Sequence, residues 1–104
     1  MTSMDTIRAM ADFIGQQFDV EKVILFGSYA RGQARPGSDV DLLVVMAPNG
    51  GEARAAPILA AVGRRFCVPV DVVVRTPQAM EQFKNKRYSL VRQALKDGVV
   101  LYAH

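Results

Sequence analysis

Three carboxylates stand in apolar surroundings in this chain. Asp39 and Asp41 sit inside a strand-like run, two apart, and lead into Leu42-Leu43-Val44-Val45. Asp71 is the only charge in Val68-Pro69-Val70-Asp71-Val72-Val73-Val74. Side chains alternate faces along a strand, so Asp39 and Asp41 share a face with Cα atoms roughly 6.5–7 Å apart. Two acids on one face of a core strand repel each other. The pair reads either as solvated acids at a fraying strand end or as ligands of a divalent cation, for which Mg2+ is suited by its preference for hard oxygen donors. If the strands of Asp41 and Asp71 are neighbours, all three acids reach one patch. Three carboxylates on a small sheet are the ligand set of a two-metal phosphoryl or nucleotidyl transfer site.

The complementary half is Phe26-Gly27-Ser28-Tyr29-Ala30-Arg31-Gly32. It leaves an apolar run and enters a helical turn. Gly27 lets backbone approach a ligand closely. The Ser28 hydroxyl and the free N–H groups of the turn can hold phosphate oxygens, and Arg31 either adds a charge or fixes the loop. A Gly-Ser pair alone is a turn. One placed with its serine eleven residues before an Asp-x-Asp strand is far more specific.

These residues need elements to position them. Ile7, Met10, Ala11, Ile14 and Phe18 recur at helical spacing over residues 2–18, with Thr2 and Asp5 spaced as a capping box. Val23-Ile24-Leu25-Phe26 is a buried strand. Arg35-Pro36-Gly37-Ser38 is a turn, and residues 40–46 form the second strand, which Pro48-Asn49-Gly50-Gly51 ends. Residues 52–66 form a helix with Ile58, Leu59, Val62 and Phe66 on one face, started or kinked by Pro57. Residues 68–74 are the third strand. Thr76-Pro77 caps a helical region that is broken near Asn85 and carries Tyr88, Val91, Ala94 and Leu95 as its apolar stripe. Gly98 is placed to end it, and residues 99–102 make a last strand. The order predicts one α/β (α+β) domain over residues 1–104, a small mixed sheet with flanking helices.

Composition narrows the function. Half of the 104 residues are hydrophobic and 22% charged, which fits a packed core. No apolar run has the length of a membrane span, and the N-terminus lacks the pattern of a signal peptide. One cysteine, Cys67, excludes an internal disulfide, fits a reducing compartment and is expected to pack in the core. These features together point to the cytoplasm. The single histidine, His104, is terminal, so a Cys/His zinc site and a histidine-based triad are excluded. The net charge of +3 is a mild excess. Lys84, Lys86 and Arg87 cluster near Tyr88, either as a solvated helix end or as a contact to a partner or phosphate.

Gly27-Ser28-Tyr29-Ala30-Arg31-Gly32, Gly37-Ser38-Asp39-Val40-Asp41-Leu42 and Val70-Asp71 together resemble the minimal nucleotidyltransferases (MNT) of the DNA polymerase β superfamily, which accompany HEPN-domain toxins. The likeness runs from the helix of Ile7 to Val100-Leu101-Tyr102. It implies the polymerase-β-type fold, with Asp39, Asp41 and Asp71 as catalytic metal ligands for Mg2+, two ions in number. Gly27 and Ser28 are implied to bind the β- and γ-phosphates of ATP, with Arg31 beside them. Asp71 is implied to help activate the acceptor. The implied reaction moves AMP from ATP to a hydroxyl, a tyrosine of a HEPN toxin with RNase activity, so that the chain acts as an antitoxin. Direct binding of nucleic acid is not expected. Two alternatives stay open: an antitoxin acting by contact alone, and a nucleotidyltransferase acting on a small molecule or RNA.

Overall fold

The computed structural model describes residues 1–47 and 54–104. The Pro48–Gly51 turn and the helix start at Glu52 lie outside the described residues. Four strands, β1 (Val20–Phe26), β2 (Val40–Met46), β3 (Val70–Arg75) and β4 (Val99–Ala103), form one sheet in the order β3-β2-β1-β4. β1 runs antiparallel to both β2 and β4, and β2 runs parallel to β3. The sheet is therefore mixed, as expected. β2 is central and covered on both faces, which is why Leu42 through Met46 read as an unbroken apolar run.

Helices cover each face. Ile7, Met10, Ala11 and Ile14 of α1 (Met4–Gln17) and Ile58 and Val62 of α2 (Ala55–Phe66) pack on Val23, Leu25, Leu42, Val44, Val72 and Val74. On the other face, Met80 of α3 (Pro77–Phe83) and Leu90 and Ala94 of α4 (Leu90–Asp97) meet Ile24, Leu43 and Val45. Residues that alternate along each strand thus feed separate cores.

Several local expectations shift. The α1 cap is Ser3, whose hydroxyl accepts from the Thr6 N–H at 3.2 Å, rather than Thr2. Pro57 falls in the first turn of α2, where its missing N–H costs nothing, so it starts that helix. Leu59 faces solvent. The Thr76 cap is as expected, its hydroxyl accepting from the Ala79 N–H at 3.0 Å. The following helical region splits, with Ser89 capping α4. Tyr88 lies in the split, left-handed at φ 69° and 95% exposed, so it is no part of an apolar stripe. Leu95 is half exposed. Cys67 is exposed and left-handed at the end of α2, not a core residue. Gly98 does follow α4, but in extended backbone at φ −79°. Its lack of a Cβ matters because one would run into the Ala94 carbonyl and the Ile24 side chain.

Candidate active site

β1 ends where β2 and β3 begin. At that edge Phe26 is paired with Asp41, and Asp41 with Asp71. Residues directly opposite across a sheet project to the same side, so Asp41 and Asp71 share the face of Leu43 and Val73, toward α3 and α4. The condition under which Asp71 reaches the patch of Asp41, that the second and third strands are neighbours, is therefore met. Asp39 lies one residue before β2, not inside it. Asp39 and Asp71 are exposed, and Asp41 is partly buried.

The Asp41 carboxyl is raised above its ordinary value. Burial is the largest cause, followed by the charges of Asp71 and Asp39, while Arg31 acts to lower it. Asp71 thus matters more to Asp41 than its chain neighbour Asp39 does. All three acids and Arg31 share one electrostatic neighbourhood.

The Gly-Ser turn adjoins it directly. Gly27 has φ +76°, and a Cβ there would overlap the Asp41 carboxylate. A single helical turn follows. The Arg31 N–H donates to the Gly27 carbonyl at 3.2 Å, the Gly32 N–H to the Tyr29 carbonyl at 3.4 Å and the Gln33 N–H to the Ser28 carbonyl at 2.8 Å. With Gly32 left-handed at φ +69°, the last two bonds form a Schellman closure. Among the described residues the N–H groups of Ser28, Tyr29 and Ala30 and the Ser28 hydroxyl have no protein partner. Arg31 Nε donates to Gln33 Oε1 at 3.3 Å.

Among the described residues no three acids, histidines or cysteines are already gathered as closely as a bound metal would draw them. The donor set still suits a hard divalent cation. Burial and two neighbouring acids all oppose the charged form of Asp41, a conflict that a bound cation would relieve, and Asp39 and Asp71 are exposed beside it. The basic cluster behaves differently. Lys84 pairs with Glu81, and Lys86 stands over the Phe83 ring at 4.7 Å. Arg87 instead joins Tyr88, Ser89, Arg92, Gln93 and Lys96 around a groove of about 390 Å3 on the outer side of α4. Sequence reasoning passed over Tyr29. Its ring packs on the main core, and its hydroxyl accepts from the Thr2 N–H at 2.9 Å. No spacing rule marks such a contact.

A family model described as Nucleotidyltransferase domain matches residues 7–101. A protein of Methanocaldococcus jannaschii named "Putative protein adenylyltransferase MJ0604" is 33% identical over 85 residues, covering 80% of this chain and 79% of that protein. A solved structure of a "putative minimal nucleotidyltransferase" superposes with TM-score 0.62 at 26% identity, over 94% of this chain and 95% of that one. A chain in the structure of the tri-AMPylated Shewanella oneidensis HEPN toxin in complex with MNT antitoxin superposes with TM-score 0.56 at 17% identity, over 93% and 72%. At that identity the likeness is one of fold. No helix among the described residues is long and apolar enough to cross a membrane. Matched from its first helix to its last strand, the chain belongs to the nucleotidyltransferase domain family and is an enzyme of nucleotidyl transfer.

Proposed function

We propose that this enzyme transfers AMP from ATP, with Mg2+, to a tyrosine hydroxyl of a HEPN-domain toxin, and that the modification neutralises the toxin. The observation that carries this reading is the edge register. It sets Asp41 beside Asp71 and against Gly27, at the start of a turn with unused N–H groups. The name of the 33% identical relative supports a protein acceptor. The fold shared with a chain of an MNT–HEPN complex supports the partner.

When bound, Mg2+ ions held by Asp39, Asp41 and Asp71 supply charge neutralisation for the triphosphate. The Ser28 hydroxyl and the N–H groups of Ser28, Tyr29 and Ala30 donate to β- and γ-phosphate oxygens. Arg31 adds positive charge next to Asp41. Gly27 keeps the backbone flush with the Asp41 carboxylate, so nothing separates acids from turn. Asp71, exposed on β3 across from Asp41, helps to activate the acceptor hydroxyl by taking up its proton. The hydroxyl oxygen bonds to the α-phosphorus, the bond from that phosphorus to the bridging oxygen breaks, and pyrophosphate leaves.

The test is incubation with ATP, Mg2+ and the HEPN protein, followed by intact mass. The expected result is one or more AMP units added to that protein and loss of its RNase activity. Neutralisation without nucleotide, with no mass change when ATP is present, would support contact-only inhibition instead.

A further inference from the structure

The turn that carries Ser28 is closed by its own hydrogen bonds, but those bonds set only its internal shape. Where the turn stands relative to the acids depends on contacts to the rest of the molecule. One is at its start, where Gly27 abuts the Asp41 carboxylate. Further contacts come from Ala30, which packs on the core, and from Tyr29, which follows Ser28 directly. Its ring packs on the core shared by α1 and the sheet. Its hydroxyl accepts a hydrogen bond from the Thr2 N–H at 2.9 Å, across 27 positions of sequence. Thr2 precedes Ser3, the cap of α1, and α1 is seated by the fully buried Ile7, Met10, Ala11 and Ile14. The turn is thus tied to the start of a helix with a fully buried face as well as to the strand it leaves. A phenylalanine would fill the same core position, so packing alone gives the hydroxyl nothing to do.

We propose that Tyr29 is a positioning residue for nucleotide binding: held by the Thr2 N–H, its hydroxyl sets where Ser28 and the free N–H groups of the turn stand relative to Asp41. The proposal rests on the proposed function in taking Ser28 as a phosphate ligand.

Two substitutions remove the same bond from opposite ends. Tyr29→Phe keeps the ring and deletes the acceptor. Thr2→Pro deletes the donor N–H at a partly buried position ahead of the α1 cap, outside the helix. Each should raise the KM for ATP by about 2- to 10-fold, the weight of one neutral hydrogen bond, with kcat nearly unchanged. The double variant should be no worse than the worse single one, because both act on one interaction. Amide exchange across residues 27–33, measured without nucleotide, should speed up in each single variant and no further in the double. Additive effects on KM, or a lowered Tm with KM and exchange unchanged, would overturn the proposal and leave Tyr29 a core side chain. A parent that transfers nothing to any acceptor would overturn the functional reading. The exchange rates would then still decide the latch: acceleration upholds it, and no acceleration overturns it.

Discussion

Burial lifts the Asp41 carboxyl above its ordinary value, and Asp71 and Asp39 lift it further. A carboxyl raised in this way binds its proton more tightly in the folded chain than in the unfolded one. Its contribution to stability is full below the ordinary carboxylate pKa and is lost as pH rises through the raised value. In the metal-free protein, ionising Asp41 therefore works against burial and the two neighbouring acids. Asp41→Asn should melt higher than the parent in chelator at pH 7, by on the order of 1 kcal/mol for a partly solvated site. The difference should close as pH falls below about 4. The same variant should lose Mg2+-dependent ATP binding and transfer, since an amide is a poor ligand for that ion. A lower melting temperature in chelator at pH 7 would make Asp41 a satisfied structural group and end this reading of the site. Ser28→Ala addresses the other half. The Ser28 hydroxyl has no protein partner among the described residues, so thermal stability should hold. Transfer at limiting ATP should drop about 10-fold or more, the scale of a hydrogen bond to a charged group, about 1.5–3 kcal/mol. Unchanged kinetics would reduce Ser28 to a turn residue.

Elements whose burial follows from their own pattern are legible in the sequence: β2 as an apolar run, β3 as a β-branched one, α1 by its stripe, and with them the placement of Asp41 and Asp71. What is not legible depends on what lies opposite. Leu59 and Leu95 satisfy helical periodicity, but no element among the described residues covers them, and Tyr88 extends the α4 stripe only if the helix continues through residues 84–89. Ser89 capping α4 competes with that continuation and prevails, bonding both the Arg92 N–H and the Phe83 carbonyl. The Thr2–Tyr29 bond and the dominance of burial over the Asp39 charge at Asp41 are tertiary facts with no local signature. Gly98 shows how a correct boundary can have another cause. A glycine that ends a helix in the left-handed region is replaceable only with backbone strain, whereas one at negative φ normally accepts alanine with a small gain. Here the Ala94 carbonyl and the Ile24 side chain occupy the space of a Cβ. Gly98→Ala should therefore destabilise the chain, by about 1–3 kcal/mol as for other overpacked positions, and shift β4 against Ile24 and Leu25. Denaturant melts give the size. A variant as stable as the parent would mean that the joint between α4 and β4 yields.

At the scale of the whole molecule, the proposed triphosphate site has a rival among the described residues. The proposed site is the acid row with its Gly-Ser turn. The rival is the groove on the outer side of α4, where Arg87, Arg92 and Lys96 stand around Tyr88 with no acid among the lining residues. The net charge of +3 favours any polyanion weakly. ATP binding by itself therefore does not identify the site, but its dependence on metal and salt does. At the acid row, ATP without a divalent ion meets three carboxylates and should bind poorly. With Mg2+, ATP at ten times its dissociation constant should stabilise the fold by about 1.4 kcal/mol, or roughly 5–10 °C in Tm for a domain of this size. That shift should survive a moderate rise in salt, vanish in chelator and vanish in Asp41→Asn. Binding in the α4 groove would behave in the opposite way. Mg2+ would weaken it by neutralising the nucleotide, and salt would screen it. Charge reversal at Arg92 and Lys96 tells the two apart. Arg92→Glu with Lys96→Glu should leave the metal-dependent shift intact, because neither side chain belongs to the acid row. A shift that is equal in chelator and is abolished by that double reversal would place the nucleotide on α4 and leave the acids without their substrate.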